Sequence, residues 1–224
     1  MRASAALATE VAEAARVMSR LSLVTAFGHV SARLGDDILV TPPVDLTYVG
    51  AGEVVLVPLD ANELPAGAPP ETWLHLAVYR SRPDVLAVAR AQPESSFVAG
   101  AVATELAPLH GQASWLGRRV PVHPGTRLLR SAALAASAAD SLGDSEALVL
   151  RGNGGVTTGV TPGIAVARMW LLDVACRVHV QARQAGEPRP LADEDVDAWR
   201  AAAPALLDRL WAHLLRTTTE GRQA

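Results

Sequence analysis

The stretch PETWLHLAVYRSRPDVLAVARAQ, Pro70 to Gln92, carries a helix, a break and a strand in one run. From Glu71 to Arg80 the apolar residues Leu74, Ala77 and Val78 recur at helical spacing, with Pro70 in front as a natural first-turn residue. Arg82-Pro83-Asp84 ends that helix, because proline disfavours the α region for the residue before it. Val85 to Ala89 is then an apolar run of buried-strand length. Where it gives way to polar residues stand Arg90 and Gln92, whose i, i+2 spacing sends both side chains to one face. Glu71 lies on the first turn of the helix that leads in.

Outward from this unit, helices mix with antiparallel strands. Residues 4 to about 20 set Leu7, Val11, Ala14, Val17 and Leu21 on one stripe, an amphipathic surface helix. Leu23 to Arg33 reads as a strand, Gly35-Asp36-Asp37 as a turn and Ile38 to Thr41 as the return. His29, Ser31 and Arg33 alternate with Val30 and Ala32, so three polar groups share one face, for which plain solvent exposure is the simplest reading. Val54 to Leu59 is a third strand, Ser95 to Val102 a short helix and Val120 to Pro124 a short edge strand. Thr126 is placed to N-cap a helix to about Leu142, closed by Gly143. Ala147 to Leu150 and Val156 to Val160 pair across a turn at Gly152 to Gly155. Thr161-Pro162 opens a helix to Ala185 stopped by Gly186, and a last helix runs from about Asp193 to Thr217, past Pro204. The mixture predicts an α+β fold in αβα layers, a central, mostly antiparallel sheet flanked by helices.

Composition bounds the function. A chain of 224 residues that is 50% apolar and 19% charged is expected to form a single domain over residues 1–224, with a core at 5–187 and a C-terminal helix at 191–218. The net charge of −3 comes without a basic stripe, and aromatics make up 4%, so nucleic acid is not an expected partner. Apolar runs end well short of the roughly 20 residues that a membrane span needs. No membrane partner is expected, and the location expected is cytoplasmic. Cys176 alone cannot form an internal disulfide and suits a reducing compartment, where it reads as a small buried hydrophobe. The chain has no lysine, every side-chain cation besides histidine being arginine, so Schiff-base chemistry on a side-chain amine is excluded.

The segments FGHVSAR, TPP, PPETWLHLAVYRSRPDVLAVARAQP, PLHGQASWLGRRVPV and LVLRGNGGVTTGVTPGIAVARMWLLDVACRVHVQARQAG together resemble, in order and spacing, the class II aldolase/adducin family over roughly residues 5 to 187. GHVSAR with the PLH segment most resembles its decarboxylase-like branch, which acts on dihydroxyphthalate-type and related hydroxy acids. The resemblance implies a homotetramer with active sites between subunits. It also implies a divalent metal held by an H-x-H on the strand and a histidine in an N-H-G turn, beside a catalytic glutamate. The glutamate matches Glu71, whereas the strand histidines fall on Arg90 and Gln92 and the turn histidine on Asn153.

These departures change the expected chemistry. Arginine is donor-only, and Gln and Asn offer only carbonyl oxygens, so no zinc-type metal site and no cofactor are expected at these positions. Where the sugar-phosphate aldolases place anion-binding Ser and Gly, this chain has Pro43-Val44 and Pro69-Pro70, which argues against a phosphorylated substrate. Two functions stay open. One is a metal-independent carbon–carbon lyase, of decarboxylase or aldol type, on a small carboxylated or hydroxylated substrate. Glu71 and Arg90 would then be catalytic, with His29, Ser31, His75, Gln92, His110 and Asn153 binding substrate. The other is an inactive aldolase-fold protein kept for binding or assembly, in which Arg90 and Glu71 merely neutralise each other. Whether His29, His75 and His110 rebuild a metal site elsewhere is also open from sequence.

Overall fold

The protein is described by a computed structural model over residues 2–220. Its strands are β1 (His29–Leu34), β2 (Asp37–Val40), β3 (Val55–Pro58), β4 (Ala87–Ala91), β5 (Glu105–Leu106), β6 (Val120–His123), β7 (Ala147–Leu150) and β8 (Gly154–Gly159). They form one eight-stranded sheet in the order β3-β2-β1-β4-β8-β7-β6-β5. Only β6 and β7 run parallel; every other neighbouring pair is antiparallel. The helices are α1 (Arg2–Arg20), α2 (Thr72–Ser81), α3 (Glu94–Val102), α4 (Ala132–Leu142), α5 (Pro162–Ala185), α6 (Asp193–Ala201) and α7 (Ala203–Glu220).

Alternation along the central strands builds a core on each face of the sheet. Ala87, Ala89 and Ala91 of β4 and Ala147 and Val149 of β7 pack with α1, α5 and α7. Val88 of β4, Leu148 and Leu150 of β7 and Val156 of β8 pack with α2 and α4 on the other side. Small alanines on one face of β4 let the 24-residue α5 lie close. Helix α5 has the ends its sequence predicts: the Thr161 side chain accepts a hydrogen bond from Ile164 N, Pro162 opens the first turn, and Gly186 ends it.

Several boundaries differ from the sequence reading, each for a local reason. Leu23 to Gly28 is not strand but a turn and loop after α1, entered at Ser22 with φ of 57°. β6 is not an edge strand, because the two-residue β5 pairs outside it. The long C-terminal helix breaks at Ala202, whose N–H bonds back to Trp199 O, so that α6 and α7 are separate helices. Helix α4 is capped by Ser131, not Thr126, which leaves residues 124–130 as loop. The polar face of β1 is not solvent-exposed either: α2 covers it, and Ser31 is fully buried.

Candidate active site

At one end of the sheet the start of β1, the end of β4 and the β7–β8 turn meet, and a cavity of about 390 Å³ opens there. Cross-strand register places His29 directly opposite Arg90. The tight turn after β7 brings in Asn153, which Gly154 makes possible: its φ is 91°, and a Cβ there would run into the Ala91 carbonyl. Arg90 donates from Nη2 to Asn153 Oδ1 at 2.6 Å and to Asn153 O at 3.3 Å, and Gln92 Nε2 donates to the same Oδ1 at 2.9 Å. The i, i+2 pair thus does share a face, and both members converge on Asn153.

Glu71 enters from the opposite wall. It sits at the N-cap of α2 but makes no capping bond; its Oε1 accepts from Arg130 Nε at 2.8 Å. Oε2 has no hydrogen bond to the described residues, and Glu71 lines the cavity. Among the described ion pairs none includes Arg90. The structural Arg90–Glu71 pair considered from sequence is therefore absent, and Glu71 acts on Arg90 only from a distance. Arg90 is 3% exposed, and burial pulls its pKa down, Glu71 partly offsetting this and Arg130 adding to it. It is a buried cation held by a neutral amide.

The remaining wall is apolar. Phe27, Pro43, Val44, Pro70 and Leu128 line it, and the Val44 N–H turns inward to Pro42 O at 2.9 Å instead of facing the cavity. Of the other residues singled out from sequence, His29 lines the cavity, Ser31 and His75 are buried beneath it, and His110 lies elsewhere, in the loop before a 3-10 turn at Gly111–Leu116. Burial first, and then Arg90, holds His29 down to about pKa 3; His75 is pushed well below the usual range by burial first, then by His29 and Arg90. Both are neutral rings. Arg130 and Leu128 were not anticipated. The available signal was Ser131, as good an N-cap as Thr126 and followed by an alanine-rich run; taking it as the cap frees Arg130 into a loop.

A transition metal does not fit the residues gathered here. A guanidinium has no lone pair to give, Asn153 Oδ1 is already taken by two donors, and one carboxylate, one amide and the His29 imidazole remain, short of the three strong ligands of a catalytic zinc site. Among the described residues no three His, Cys, Asp or Glu side chains lie together as metal ligands, so His29, His75 and His110 are not assembled into such a site.

Comparison with known proteins agrees with this architecture. The chain is 31% identical over 205 residues to 3,4-dihydroxyphthalate decarboxylase of Arthrobacter keyseri, covering 83% of each protein. To the enzyme of the same name from Terrabacter sp. (strain DBF63) it is 31% identical over 222 residues, covering 91% of this chain and 93% of that one. An L-fuculose 1-phosphate aldolase superposes with a TM-score of 0.80 at 19% identity, over 88% of this chain and 95% of that chain, which is a likeness of fold. Relatives named decarboxylase support a lyase-type enzyme. No helix among the described residues is long and apolar enough to cross a membrane. Residues 9–180 match the Class II Aldolase and Adducin N-terminal domain, and the chain belongs to that family.

Proposed function

We propose that this protein is a metal-independent lyase that decarboxylates a small hydroxylated aromatic carboxylate, with Arg90 as the fixed cation and Glu71 as the proton-transfer group. The carrying observation is a buried guanidinium with no carboxylate partner among the described residues, at the floor of an apolar-walled cavity. Phe27, Pro43, Val44, Pro70 and Leu128 suit an aromatic ring better than a sugar, and a segment without free N–H groups suits a phosphate poorly.

Arg90 grips the carboxylate or the oxygen on which charge builds, assisted by Gln92, His29 and Asn153. Glu71 Oε2 takes the proton of a ring hydroxyl, and the electron pair moves into the ring. The protonated Glu71 then returns a proton to the ring carbon bearing the carboxylate. The carbon–carbon bond breaks, carbon dioxide leaves, and its bonding pair restores the aromatic ring. Phe27 and Leu128, which line the cavity and are 64% and 50% exposed, support self-association as a homotetramer around the site.

The test is carbon dioxide release from a panel of hydroxylated benzene mono- and dicarboxylates, run beside thermal shift on the same compounds. Saturable release from members with a hydroxyl beside the carboxylate is expected. Stabilisation without release from any member would instead mark a binding protein.

A further inference from the structure

Beneath the cavity lies a row of polar side chains that the chemistry above does not use. Tyr79 and His75 come from the buried face of α2, and Ser31 from β1. Ser31 Oγ is 2.8 Å from Tyr79 Oη and 2.7 Å from His75 Nδ1. All three residues are buried to within 1%. His29 is next in line, its ring edge-on to His75 with centroids 6.1 Å apart.

Counting protons fixes the direction of this row. Tyr79 keeps its phenolic proton, since burial raises its pKa strongly, and among the described residues the hydrogen bond at its phenol oxygen is the one with the Ser31 side chain. A buried O–H left without an acceptor is costly, and Ser31 is the side chain within reach, so Tyr79 donates to Ser31. Ser31 then gives its own single proton to His75 Nδ1. A neutral His75 must therefore carry its proton on Nε2. That nitrogen is buried and has no hydrogen-bond partner among the described residues, and the same holds for Nδ1 of the neighbouring His29. One is a donor and the other, if His29 is protonated on its far nitrogen, an acceptor.

We propose that His75 Nε2–H serves His29 Nδ1 through one bridging water, and so fixes His29 as the tautomer that presents a neutral Nε2–H donor to the cavity beside Arg90. His29 then binds the substrate oxygen on which negative charge develops, and Tyr79, Ser31 and His75 are positioning residues for it. Part of this rests on the cavity being the reaction site. The tautomer itself does not.

The experiment is long-range 1H–15N NMR on the whole chain with 15N-labelled histidine at neutral pH, repeated on Ser31→Ala and Tyr79→Phe. In the parent protein His75 and His29 are both expected to show protonated Nε2 and unprotonated Nδ1. Ser31→Ala removes the donor to His75, and Tyr79→Phe removes the bond that sets its direction, so each should introduce the second tautomer at His75 and at His29. Where a substrate is turned over, kcat should fall about tenfold in Tyr79→Phe with KM within about twofold. An Nδ1–H tautomer or an imidazolium at His29 in the parent, or an unchanged His29 tautomer in both variants, overturns the proposal. Absence of turnover on every compound leaves the NMR prediction intact and counts against the proposed reaction alone.

Discussion

Arginines beside two cavities of the described residues are held on opposite principles. In one group, Glu146 on the lead-in to β7 takes both guanidinium nitrogens of Arg200 at 3.1 and 3.2 Å, with Arg168 at 3.8 Å, beside a cavity of about 310 Å³ closed by α7. Charge there is neutralised on the spot, in the bidentate geometry that carboxylates and guanidinium groups favour. At Arg90 the partner is an amide, and the nearby carboxylate of Glu71 is bonded to Arg130 at the rim. Burying a cation without its counter-ion is unfavourable, so the Glu146 group reads as structure and the Arg90 group as a site held ready for an anion.

Substitutions separate the two. Glu71→Gln keeps shape and removes the proton-transfer group; turnover should fall about 10³-fold or more, with the melting temperature little changed. Loss of folding, or full activity, would break the contrast. Arg90→Met removes the unneutralised cation and should lower kcat/KM by about 10²- to 10³-fold, leaving the melting temperature unchanged or raised. Glu146→Gln should do the reverse. It leaves two guanidinium groups unpaired and should destabilise by about 2–4 kcal/mol in denaturant melts, discounted from the fully buried range because Glu146 stays 17% exposed, with kcat unchanged in the folded fraction. Arg130→Ala, at a side chain 55% exposed, should change stability by less than about 1 kcal/mol and raise KM several-fold.

The smallest effect is on acid stability. His29, held at about 3, and His75 stay neutral in the folded chain, while the unfolded chain takes up protons below the ordinary 6.5. Folded values below unfolded ones mean that stability is full above pH 6.5 and is lost as pH falls from there towards about 3. Each histidine adds a slope of up to about 1.4 kcal/mol per pH unit inside that window. Thermal melts from neutral to acid pH should show it, and His75→Gln should flatten it.

Much of this was legible in the sequence because it depended on spacing alone. Proline at 83, the cap at Thr161 and the alternation in β4 are local signals, and they set α2, α5 and the face that Arg90 and Gln92 share. What failed were competitions between equal local signals or effects of tertiary cover. Thr126 and Ser131 are equivalent caps on paper, and choosing wrongly hid Arg130 inside a helix. The polar face of β1 looked solvated because nothing in its residues says that α2 lies across it, turning Ser31 and His75 from pocket residues into a buried row. His110 was grouped with the site although it lies away from the cavity lining.

The central claim is that a fixed guanidinium, with no transition metal, serves the reaction. Turnover of a hydroxylated aromatic carboxylate should be followed alongside elemental analysis of the same purified protein, before and after exhaustive chelation. The account predicts an unchanged rate with far less than one transition-metal ion per chain. Activity that vanishes on chelation and returns with stoichiometric zinc, iron or manganese would contradict it.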